Sequence, residues 1–118
     1  MKKILIILDH FPELLTGLQT FLEKENFEVT PVSDGQLGYE RGRSEHFDLI
    51  ILRAMISKKS NFDICRDLRI DGITTPILLF ADDGETIKKE IGSEVSAIDY
   101  IIDLYPPRLL AKIKTLLG

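Results

Sequence analysis

The chain has 118 residues, 44% of them hydrophobic and 29% charged, which is one domain's worth of sequence, able to bury roughly two-thirds of its unfolded surface without disulfide staples. A single cysteine excludes a disulfide framework or a cysteine-based zinc cluster. The balance of 15 Lys+Arg against 19 Asp+Glu, net −4, does not suit binding nucleic acid by neutralising phosphates. The apolar runs at 4–8 and 49–52 are too short to span a bilayer, and Asp9 and His10 interrupt the first too early for a signal peptide. The expectation is a cytoplasmic domain that touches neither membrane nor nucleic acid.

In chain order, runs rich in β-branched residues predict strands at Lys3–Leu8, Phe27–Val32, Asp48–Leu52, Pro76–Phe80 and Ala97–Ile102. Three of them (ILIIL, LIIL, ILLF) are continuously apolar, the mark of parallel strands covered on both faces. Between them the period becomes helical. Leu14, Leu18, Phe21, Leu22 and Glu25 form the first stripe, with Pro12 suited to its first turn. Asp34-Gly35 turns into a second helix weakened by Gly35, Gly38 and Gly42, each unfavourable by about 1 kcal/mol relative to alanine, and Arg41 and Gly42 fall where an apolar stripe is expected. That helix is either short, frayed or displaced, or a docking edge. Phe62, Cys65 and Leu68 mark a third helix ending before Asp71-Gly72. Asp82-Asp83-Gly84 precedes a short fourth around Glu85–Ile91, and Pro106-Pro107 opens a last one striped by Leu109, Ile113, Leu116 and Leu117. The pattern is (βα)5 with right-handed crossovers. In such sheets function gathers beyond the strands' C-terminal ends. The residues there are Asp9/His10, Arg53, Ala81–Asp83 and Asp103.

With KKILIILDHFPELL, FEVTPVSDG, FDLIILRAMISKKSNFDICRDLR, TPILLFADD and AIDYIIDLYPPRLLAKIKTLL in order, the chain resembles the receiver domain of bacterial two-component response regulators over nearly its whole length. The resemblance implies a flavodoxin-like doubly wound α/β fold, a five-stranded parallel sheet of order 2-1-3-4-5, and one receiver-like domain over residues 1–118, either alone or as the N-terminal part of a longer protein. It also implies phosphoryl transfer onto an aspartate. An acidic pair after the first strand holds Mg2+. An aspartate closing the third strand is the nucleophile. A Thr or Ser closing the fourth and a Lys closing the fifth bind the new charge.

This chain departs at nearly every such position. The nucleophile position is Arg53, the Thr/Ser position Ala81 and the Lys position Asp103. The acidic pair keeps Asp9; its partner is His10 or Leu8, with Pro12-Glu13 favouring His10. An acid facing a base has become a base facing an acid. Charge-assisted bonds from Arg53 to Asp103, Asp9 or both would make the pocket an internally neutralised cluster, against the plainer reading of a solvent-directed arginine. Mg2+ binding is not expected, and no residue is assigned a catalytic role. Tyr100 stands where the family places its switch aromatic.

The leading function is a degenerate pseudo-receiver, a non-enzymatic signalling module that acts by protein–protein contact without aspartyl phosphorylation. The family's face of fourth helix, fifth strand and fifth helix, common for homodimers and effectors, would carry Lys88, Lys89, Tyr100, Tyr105, Lys112 and Lys114. The alternative is an Mg2+-dependent phosphoacceptor with a relocated residue such as Asp9 or Asp103. A flavin-binding reading fails at Leu8–Pro12, which lacks the Gly, Ser and Thr groups that cradle a phosphate.

Overall fold

The computed structural model describes residues 1–8, 11–53, 61–80, 98–101 and 105–118, with the backbone alone at 61, 62 and 98–101. Strands β1 (Lys3–Ile7), β2 (Glu28–Val32), β3 (Leu49–Arg53) and β4 (Ile77–Phe80) form a parallel sheet in the order β2-β1-β3-β4. The backbone of β5 (Ile98–Ile101) pairs in parallel with β4, Ile77 opposite Ile98.

The two faces of this sheet divide the apolar runs by parity. Leu5 and Ile7 of β1, Ile50 and Leu52 of β3, and Ile77 and Leu79 of β4 pack into one core with Val32, Phe47, Cys65 and Leu68. Their sequence neighbours Ile4, Ile6, Leu49, Ile51 and Leu78 pack on the other face with Leu15, Leu18, Leu22, Leu109 and Ile113. Alternate residues of a strand point to opposite faces. A strand covered on both therefore has no polar position to offer, and the runs are continuous for that reason. β2 lies at an edge and reads differently. Its Glu28 and Pro31 are exposed, and an edge strand tolerates a proline that cannot donate to the ladder.

Helices α1 (Pro12–Lys24), α2 (Gly35–Ser44) and α3 (Asn61–Ile70) and the C-terminal helix (Pro106–Leu117) supply the covering layers. Pro12 opens α1 as expected, but the buried stripe is Leu15, Leu18 and Leu22, with Leu14 and Phe21 only partly covered. The helix stops at Asn26, whose left-handed φ of 69° lets the Phe27 N–H reach Leu22 O at 3.1 Å. Gly72, at φ 83°, ends α3 the same way: the Ile73 N–H donates to Leu68 O at 2.9 Å.

The second helix corrects the sequence reading most. It runs ten residues from an N-cap at Asp34, whose side chain accepts from the Gln36 N–H at 2.8 Å. Its buried face is Gly38 and Gly42. A Cβ at Gly38 would stand 2.5 Å from Ile7 Cδ1, so the glycines bring the helix backbone directly onto the sheet. The missing apolar stripe is a close-approach surface, and Arg41 sits beside it paired with Glu45.

Of the expected elements, the helix around Glu85–Ile91 lies outside the described residues, as do Asp82, Asp83 and Gly84 before it.

Candidate functional site at the C-terminal end of the third strand

β3 ends at Arg53, directly opposite Phe80 at the end of β4, which is in turn opposite Ile101 of β5. The C-terminal ends of these strands are therefore level. By parity Arg53 shares a sheet face with Leu49 and Ile51, and Phe80 shares it with Leu78, so both point to the side covered by α1. Phe11 meets them there from the N-cap position of α1.

The Arg53 guanidinium carbon lies 4.0 Å from the centroid of the Phe11 ring and 5.8 Å from that of Phe80. Arg53 is half-buried and its Nε is fully covered. A planar guanidinium stacks on an aromatic face through the ring quadrupole, an attraction of about 0.5–1 kcal/mol when exposed and about 2 kcal/mol when desolvated. A purely solvent-directed arginine is therefore not what the chain folds to. The expected charge pairing with Asp9 or Asp103 concerns side chains outside the described residues, as do His10 and Ala81.

The aromatic partners were missed in the sequence. A signal was present: Phe11 immediately precedes a proline-started helix, where an oxygen-bearing cap is the usual residue, and it makes no side-chain cap bond. Chemically, a guanidinium offers no oxygen for phosphorylation. It can hold an anion or stack on a ring.

The expected interaction face is partly placed. Lys88 and Lys89 lie outside the described residues, and Tyr100 is described only as backbone, opposite Leu79. Tyr105 is exposed, with the Arg108 guanidinium 5.2 Å from its ring. Lys112 is half-buried and Lys114 exposed. Two residues apart on a helix is about 200° of rotation, so these lysines flank the buried Leu109–Ile113 stripe on opposite sides and do not form one patch.

Elsewhere, Cys65 is wholly buried and burial pushes its thiol up to about 12, making it a core residue rather than a nucleophile. Asp48 accepts from the Lys3 N–H at 2.8 Å, and that bond holds its carboxyl below the usual carboxylate range, with exposed His46 assisting. Among the described residues no group of three His, Cys, Asp or Glu side chains is placed to hold a metal ion, and no helix is long and apolar enough to cross a membrane.

Comparison with known proteins bears on the fold and the family. The family model described as "Response regulator receiver domain" matches residues 4–114. The alkaline phosphatase synthesis transcriptional regulatory protein PhoP of Bacillus subtilis is 31% identical over 99% of this chain, and the response regulator ArlR of Staphylococcus saprophyticus is 36% identical over the same share. The chain spans about half the length of these curated relatives, 49% and 53%. Among solved structures, the response regulator TrrA of Thermotoga maritima superposes with a TM-score of 0.85 at 22% identity, covering 99% of this chain and all of that one. A two-component response regulator from Clostridium difficile gives 0.80 at 26% identity, covering 99% and 96%. The fold is thus a flavodoxin-like α/β sandwich, and the chain belongs to the family of response regulator receiver domains.

Proposed function

We propose that this chain is a receiver domain that signals by protein contact without an aspartyl phosphate. The observation that supports this is the half-buried Arg53 guanidinium at the end of β3, stacked on Phe11 beside Phe80. It stands where the family resemblance puts the acceptor carboxylate. A fixed positive charge there also disfavours Mg2+, and of the acidic pair that would ligate the ion only Asp9 is a carboxylate. We therefore assign no metal and no enzymatic activity. Ala81 and Asp103, in place of the hydroxyl and the lysine, agree with a pocket whose switch chemistry has gone.

In this reading the chain is a single (βα)5 receiver-like domain over 1–118. The domain sits in the cytoplasm, either alone or as the N-terminal part of a longer protein. It works as a docking module for protein partners, including a second copy, through the fourth helix, β5 and the C-terminal helix. It does not itself touch nucleic acid or membrane.

The test is a heteronuclear NMR titration with Mg2+ and then beryllofluoride, the phosphoryl analogue held in the comparison structure of TrrA. Amide shifts around Arg53 should stay unchanged at millimolar Mg2+ and beryllofluoride. Saturable, Mg2+-dependent shifts centred on β1, β3 and β5 would contradict the proposal.

A further inference from the structure

Helix α1 begins without an oxygen cap. Its N-cap is Phe11, and its first intrahelical bond runs from the Leu15 N–H to Phe11 O at 3.0 Å. Replacing Ser, Thr, Asp or Asn by an apolar residue at this position forfeits about 1 kcal/mol, so the phenyl ring needs another justification. It is 39% exposed, too open to be a core anchor, yet its face meets the Arg53 guanidinium at 4.0 Å, closer than any other cation–ring distance among the described residues. The two residues belong to different elements: Phe11 is the N-cap of α1 and Arg53 closes β3.

We propose that Phe11 and Arg53 form a clasp that fastens the start of α1 to the end of β3, so that an intrachain stack sets the spacing between them with no ligand required. Phe80, the register partner of Arg53, backs the guanidinium from the neighbouring strand. The clasp holds whether or not the chain accepts a phosphoryl group. Its consequence is a domain whose first helix is tied to the strand end in a single arrangement, giving partners a constant surface.

The test is native-state hydrogen exchange at the Leu15 amide, read by NMR in the wild-type chain, Phe11→Leu, Arg53→Met, the double variant and Phe11→Tyr. A half-buried cation–π pair predicts exchange about fivefold to thirtyfold faster in each of the first two. The double variant should be no faster than the faster single, because each single variant already removes the Phe11–Arg53 stack. Phe11→Tyr keeps the ring and should keep the wild-type rate. Multiplicative acceleration in the double variant, unchanged rates in the singles, or a Phe11→Tyr rate matching Phe11→Leu would each overturn the clasp. Should Arg53→Met fail to fold, the Phe11→Leu and Phe11→Tyr pair decides alone.

Discussion

Three alanine substitutions in helices of the same molecule should differ in sign because of what each new Cβ meets. At Gly38 it would lie 2.5, 2.6 and 2.9 Å from Cδ1, Cγ1 and Cγ2 of Ile7. Relaxed carbon contacts sit at about 3.5–4.0 Å. Two of the three atoms branch directly from the Ile7 Cβ, so a swing of the side-chain tip cannot relieve the clash, and Ile7 is fully buried in β1. Overpacking of this kind costs about 1–3 kcal/mol, against about 1 kcal/mol gained from replacing a helical glycine. Gly38→Ala should therefore lose about 1 kcal/mol net, and up to about 2. Gly17, on the exposed side of α1, has nothing within 4 Å; Gly17→Ala should gain about 1 kcal/mol. At Gly42 the nearest atoms are at 3.4 and 3.6 Å, ordinary contact, and Gly42→Ala should fall between neutral and the Gly17 gain. Urea denaturation followed by circular dichroism reads all three as midpoint shifts at constant slope. A Gly38→Ala protein as stable as Gly17→Ala would refute the close-approach account of α2.

The other predictions concern caps and protons. Asp34→Ala removes the oxygen that accepts the Gln36 N–H and should cost about 1 kcal/mol by the same denaturation assay. Asp48→Ala strips the Lys3 N–H of its side-chain acceptor and should cost a comparable amount, about 1 kcal/mol. Because the Asp48 carboxyl titrates lower folded than unfolded, its contribution is complete above about pH 4, the unfolded value, and fades as pH falls through the folded one. The acid limb of a stability–pH profile should accordingly be shallower in Asp48→Asn, and identical limbs would contradict this. Burial pushes the Cys65 thiol up to about 12. A disulfide reagent at pH 8 should label it only as fast as the protein unfolds, and prompt labelling of the native protein would show the site to be open.

Much of this architecture was legible because a doubly covered parallel strand leaves an unmistakable trace. ILIIL and ILLF are apolar throughout, and β1, β3 and β4 fall within a residue or so of their expected bounds. Helix α2 was harder, since its packing face is made of absent side chains. Gly38 and Gly42, one turn apart, read as helix breakers until the proximity of Ile7 and Leu5 is seen. In α1 periodicity placed Leu18 and Leu22 on the buried face but chose Leu14 over Leu15, because the two are adjacent and only packing decides which faces the core. At the site, the family resemblance drew attention to Arg53 at the end of the third strand. Its ring partners were hidden, because Phe11 lies 42 positions away in the chain, and charge reasoning seeks carboxylates before aromatic faces. Phe11 at a cap position was the available clue.

The central claim is that the carboxylate switch has been replaced by an arginine stack, and intact mass tests it most directly. The protein is incubated with Mg2+ and a small phosphodonor beside a typical receiver that has an aspartate at the end of its third strand. The account predicts a phosphoryl adduct on the control and none on this chain. A stoichiometric, Mg2+-dependent adduct here that disappears in Asp9→Asn or Asp103→Asn would contradict it and establish a relocated acceptor.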